Sequence, residues 1–87
     1  GALFVEADES LLAVPPAVEV KSTVGAGDAM VAGLVAGKAR GLQLADCARL
    51  ATATAVGALT QLGPRLPAPQ VIESLMHQVT VQAVAAD

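Results

Sequence analysis

The chain has no tryptophan and no tyrosine, and its single phenylalanine, Phe4, makes up the 1% aromatic content of the 87 residues. Aromatic side chains bring the largest buried areas to a core. Without them the interior has to close through small and branched side chains at short range. Basic charge is scarce as well: five Lys and Arg stand against eight Asp and Glu, for a net charge of −3. Nucleic-acid binding needs clustered cations to neutralise phosphates, so that class of function drops out. One cysteine, Cys47, cannot form an internal disulfide, and the one histidine, His77, has no partner at metal-ligand spacing. A reducing, cytoplasmic setting fits this usage. Long apolar runs are also missing: the longest, residues 29–37, stops at Lys38. A membrane span needs ~20 residues, so no membrane association is expected.

What the chain does have is alanine, valine, leucine and glycine, with 54% hydrophobic residues and a positive mean hydropathy. A small domain exposes a large share of its surface. A chain this apolar is therefore expected to leave a face that further segments cover.

Along the chain, residues 2–6 read as a strand with one buried face. Residues 7–10 form a polar break of hairpin length. Residues 11–14 resume a strand that Pro15-Pro16 closes, since proline cannot donate to a central ladder. Val18-Glu19-Val20 alternates and leads into the central stretch. A helix over 28–40 is expected, with Met30/Leu34 and Val31/Val35 at four-residue spacing as its apolar stripe. Lys38 and Arg40 suit its last turn, and Gly41 its end. Glycine inside a helix costs ~1 kcal/mol against alanine, so Gly33 and Gly37 call for a close-packing reason. A second helix, from Leu44 or Ala45 to Gln61, carries Leu44, Ala48, Ala51, Ala55, Leu59 and Leu62 near one face and is expected to be buried on much of its circumference. Gly63-Pro64 ends it. Proline at the first helical position then suits a third helix over 69–79, with Val71 or Ile72, Leu75, Met76 and Val79 turned inward. Residues 81–87 have no cap and are expected to be frayed.

The organising stretch is Lys21-Ser22-Thr23-Val24-Gly25-Ala26-Gly27-Asp28-Ala29-Met30. It reads as an extended end, a glycine-flanked turn, and a helix starting near Gly27 or Asp28. Two glycines allow backbone conformations closed to other residues and bring a ligand close to the main chain. The first N–H groups of a helix lack intrahelical partners, and the helix dipole adds partial positive charge there. Together they form an anion site without a cationic side chain. Met30 occupies the third glycine position of a dinucleotide fingerprint, and no Gly-Lys-Ser/Thr follows, so neither that motif nor a Walker loop applies. Asp28 in the first helical turn is favourable through the dipole alone, by ~0.3–1 kcal/mol. A carboxylate beside an anion is chiefly useful, however, for handling a proton.

The run from Ser22 to Asp28, followed by Ala29-Met30-Val31-Ala32-Gly33, resembles the second signature of the ribokinase-like (PfkB-type) carbohydrate kinases, whose common form is Asp-Thr-x-Gly-Ala-Gly-Asp. Ser22 stands where most members carry Asp, as in the phosphofructokinase branch and the 1-phosphofructokinases in particular. The likeness runs from Gly1 to about Leu75. It implies an α/β fold in which residues 1–87 are the C-terminal segment of one Rossmann-type three-layer kinase domain, with the hairpin, the glycine turn and three helices in order. It implies transfer of the γ-phosphoryl group of ATP to the 6-hydroxyl of fructose 1-phosphate. A 6-phosphofructokinase, a tagatose 6-phosphate kinase or a non-catalytic phosphate-binding segment stand as alternatives.

By that resemblance Asp28 is the base on the sugar hydroxyl. Gly25, Ala26 and Gly27 supply main-chain donors to the transferring phosphate, and Ser22, Thr23 and Val24 complete the ATP-binding turn. Magnesium ligands are expected upstream, and the full-length enzyme is compatible with a homodimer. Gly1-Ala2 is either the tail of a glycine-rich nucleotide loop or a small-residue strand start. Ser22 and Thr23 hydroxyls either bind phosphate or hold the turn. Lys21 reads as a solvated strand-end charge that could reach a phosphate. Arg49 and Arg65 face solvent or rim the nucleotide. His77 reads as a surface residue and Cys47 as a small buried hydrophobe.

Overall fold

The computed structural model describes residues 1–61 and 66–84. Residue order and pairing follow the hydrophobic pattern. Strands β1 (Ala2–Glu6) and β2 (Glu9–Val14) form an antiparallel hairpin around Ala7 and Asp8, with Phe4 opposite Leu11 and Ala2 opposite Ala13. Alternation sends Phe4, Leu11 and Ala13 into the core and leaves Leu3 and Val5 more than 60% exposed on the other face. The turn is shorter than the polar run suggested, because Glu9 and Ser10 already pair in the ladder.

The chain's end corrects a sequence expectation. Residues 80–83 are not frayed but form strand β3 (Thr80–Ala83), antiparallel to β2, so that the sheet runs β1-β2-β3. The free edge of β2 supplies the N–H and C=O partners, and half-buried Val81 opposite Ala13 extends the inward row. This pairing is non-local and leaves no terminal signal in the residues themselves. Residues 85–87 lie outside the described residues.

Three helices follow the glycine turn: α1 (Ala26–Ala39), α2 (Leu44–Leu59) and α3 (Pro69–Gln78). Helix α2 packs against all three strands and carries α1 and α3 on its flanks. Leu44 and nearly every residue from Cys47 to Ala58 are buried, as a helix apolar all round requires. Leu75 and Val79 close the core from α3, with Ile72 and Met76 packed at its edge, while Val71 is exposed. The α2 positions near Leu62, and the Gly63-Pro64 stop, lie outside the described residues; α2 itself ends at Leu59.

The stripe expected on α1 holds for Met30 and Leu34, which pack against the core, and is corrected for the valines. Val31 and Val35 are each 61% exposed, whereas Ala29, Gly33 and Gly37 are buried. Helix α1 thus buries small residues at Ala29, Gly33 and Gly37 and covers Met30 and Leu34 in part, while its valines face outward. A Cβ on Gly33 would stand 2.8 Å from the Ala51 Cα, and one on Gly37 would stand 2.9 Å from the Cys47 Sγ. The two helices therefore touch backbone to backbone, the close-packing reason that the glycines called for. Cys47 is fully buried in this seam, its thiol donating to the Leu42 carbonyl at 3.4 Å. Gly41 ends α1 at φ 74°, with its N–H on the Lys38 carbonyl.

Candidate functional site

The site is built where the last carbonyl of α2 meets the lead-in to α1. The Lys21 and Ser22 N–H groups both donate to the Leu59 carbonyl, at 2.7 and 3.2 Å. A helix's last carbonyls have no partner of their own, so this lead-in closes the C-terminus of α2. The Ser22 hydroxyl accepts the Val24 N–H at 3.2 Å. Holding the turn, one of the two readings for that side chain, is present in this bond. Gly25 then takes φ 81°, the left-handed region where a Cβ is disfavoured, and caps α1. The helix starts at Ala26, a residue earlier than its side chains indicated, because the reversal at Gly25 is complete before the acid.

The donor inventory at this helix mouth is specific. The Ala26 N–H reaches back to the Thr23 carbonyl at 3.4 Å, and the Ala29 N–H to the Gly25 carbonyl at 2.8 Å. Among the described residues the N–H groups of Gly25, Gly27 and Asp28 meet no backbone acceptor. Asp28 is exposed, in the first turn of α1.

Gly27 carries a separate argument. A Cβ placed on it meets nothing within 4 Å, and its backbone is not in the left-handed region. The fold does not demand a glycine there, and helix propensity disfavours it by ~1 kcal/mol. Nothing among the described residues accounts for the bare position.

Two recesses of about 260 Å³ each open beside this turn. One is apolar and lies between the hairpin and α2, lined by Ala2, Pro15, Gly27, Met30, Val56 and Leu59 among others. Gly1 also lines it, and Ala2 starts strand β1, as the small-residue strand reading expected. Thr52 lines the same recess; it is 2% exposed, and its hydroxyl has no hydrogen-bond partner among the described residues. A buried polar group without a partner is costly, and Thr52 is the site residue that sequence reasoning missed. A threonine among alanines on a buried helix face was the available signal. The second recess carries Asp28, with Val24, Gly25, Ala32, Ala58 and Leu66. The turn thus separates an apolar chamber from an acid.

Other candidates lie elsewhere. Arg49 pairs with Asp46 at 3.1 Å on the surface of α2, about 15 Å along the helix from Leu59 at 1.5 Å per residue. It faces a charged cleft with Arg40, Glu73 and exposed His77 at the far end of the helices, not the turn. The Lys21 side chain is exposed. Arg65 lies outside the described residues. No group of three or more His, Cys, Asp or Glu among the described residues is arranged to hold a metal ion. No helix among the described residues is long and apolar enough to cross a membrane.

The helix mouth thus sets main-chain donors beside a carboxylate, the kinds of group that phosphoryl transfer uses. Comparison with known proteins agrees with the geometry. Residues 1–71 match the model of the pfkB family of carbohydrate kinases. The 1-phosphofructokinase of Rhodobacter capsulatus is 52% identical over 84 residues, and that of Xanthomonas campestris 44% over 85, each match covering 97% of this chain and 27% of the relative. The 1-phosphofructokinase of Escherichia coli K12 is 40% identical over 82 residues, 94% of this chain and 26% of the relative. A crystal structure of a Staphylococcus aureus protein assigned to the phosphofructokinases superposes with a TM-score of 0.89 at 33% identity, covering 100% of this chain and 28% of that one. The chain belongs to the pfkB family of carbohydrate kinases. It spans about a quarter of the length of the curated relatives it matches.

Proposed function

We propose that the full-length protein transfers the γ-phosphoryl group of ATP to the 6-hydroxyl of fructose 1-phosphate, with residues 1–87 as the C-terminal segment of its kinase domain. The observation that carries this reading is the unsatisfied N–H set of Gly25, Gly27 and Asp28, placed between the apolar chamber and the Asp28 carboxylate. The chamber beside Gly27 takes the nucleoside end of ATP, with the Thr52 hydroxyl as its buried polar contact. The free N–H groups hold phosphate oxygens as charge builds between donor and acceptor. Removing one preorganised donor of this kind typically costs ~2.7–4 kcal/mol of barrier reduction.

The attacking hydroxyl oxygen bonds to the γ-phosphorus while the bond to the β-γ bridging oxygen breaks and ADP leaves. The hydroxyl proton passes to the Asp28 carboxylate. Magnesium, when bound with ATP, neutralises phosphate charge; its protein ligands are not among the residues described. The fructose 1-phosphate assignment is supported by the names of the relatives at 52%, 44% and 40% identity. A panel of phosphosugars tested with ATP and the full-length enzyme decides it. The highest kcat/KM is expected for fructose 1-phosphate; a higher value for fructose 6-phosphate or tagatose 6-phosphate would reassign the acceptor.

A further inference from the structure

We infer that Ser22 is a positioning residue of the phosphoryl-transfer site, holding the glycine turn in register with the chamber that receives the nucleoside. The inference rests on the kinase reading above. Ser22 is bonded in both directions. Its N–H joins that of Lys21 on the Leu59 carbonyl, and its hydroxyl takes the Val24 N–H, one residue before the left-handed Gly25. Leu59 is at once the last residue of α2 and part of the chamber wall that α2 supplies through Thr52 and Val56. The path from chamber to turn is thus Leu59 carbonyl, Ser22, Val24, Gly25. Only the Ser22-to-Val24 link in that path depends on a side chain.

The Ser22 oxygen accepts the Val24 N–H, which leaves its O–H available as a donor. On this inference the effect of Ser22 on the reaction runs through the N–H groups that follow it, which the bond to Val24 holds in place. Loss of the hydroxyl frees Val24 and lets the donors of Gly25, Gly27 and Asp28 drift relative to a nucleotide anchored in the chamber. Misplacement of reacting groups by about 1 Å can cost as much as 10²-fold in rate.

The test compares Ser22→Ala and Ser22→Thr in the full-length enzyme. Ser22→Ala is expected to lower kcat about 10- to 100-fold with the KM for ATP little changed, and Ser22→Thr, which keeps the acceptor, to restore most of it. Amide hydrogen exchange of the peptide containing Val24 is expected to speed up in Ser22→Ala and to return to the wild-type rate in Ser22→Thr. A raised KM for ATP at unchanged kcat would mean that Ser22 touches the nucleotide and would overturn the inference. So would Ser22→Ala behaving as wild type, or Ser22→Thr failing to rescue. If Ser22→Ala does not fold, Ser22→Cys, whose sulfur is a weak acceptor, takes its place with the same expectations. Should the wild-type enzyme transfer no phosphate to any phosphosugar, the kinase reading falls, and the exchange rates alone decide whether Ser22 holds the turn.

Discussion

Three glycines in this chain are bare for three different reasons, and substitution separates them. Gly25 needs its φ of 81°; an alanine there carries the left-handed penalty of about 1–2 kcal/mol, so Gly25→Ala should lower stability in urea titration by that amount and distort the donor set. Gly33 needs space against the Ala51 Cα at 2.8 Å. Over-packing costs ~1–3 kcal/mol and helix propensity returns ~1 kcal/mol, so Gly33→Ala should show a net loss of about 1–2 kcal/mol. Gly27 needs neither. Gly27→Ala should leave urea stability unchanged or raise it by up to ~1 kcal/mol, while raising the KM for ATP of the full-length enzyme. A Gly27→Ala enzyme with wild-type kinetics would show that no ligand approaches that position. At this scale the turn was legible from its residues, because Gly-Ala-Gly-Asp at a strand-to-helix junction has few physical uses. Thr52 was not, because a threonine's value there depends on a cavity that only the packing of α2 against the hairpin reveals.

Elements show where pattern reading succeeds and where packing overrides it. The hairpin and all three helices follow from alternation, proline stops and glycine ends. The face of α1 follows only for Met30 and Leu34; hydrophobicity ranks Val31 and Val35 above Gly33 and Gly37, whereas backbone approach to α2 favours the small residues. Seen from the seam, alanine and glycine are what permit the contact, and this is how a core with one phenylalanine closes. Strand β3 was illegible for a different reason: its partner is β2, more than 60 residues away in sequence. Helix α2 is the element on which the others depend, supporting the sheet, both flanking helices and the turn. Ala51→Leu on its α1 face is expected to destabilise the full-length protein by about 1–3 kcal/mol, with a fall in the urea midpoint as the readout.

For the whole molecule, the described residues contain the turn, the two recesses beside it and Asp28, and no group of three or more His, Cys, Asp or Glu arranged to hold a metal ion. Exposed Leu3, Val5, Val31 and Val35 leave apolar surface on both the sheet and α1. The curated relatives are about four times as long as this chain. The purified 87 residues are accordingly expected to show no phosphoryl transfer with ATP and fructose 1-phosphate; measurable turnover would contradict this. The central claim is that Asp28 takes the acceptor's proton beside a turn that binds phosphate without it. Its most direct test is Asp28→Asn in the full-length enzyme, with kcat and the Kd for ATP measured together. A loss of about 10²–10⁴-fold in kcat, the range for a removed general base, with the Kd for ATP held near its wild-type value, is the result expected. A kcat within a few-fold of wild type, or a loss of ATP binding in step with activity, would contradict it.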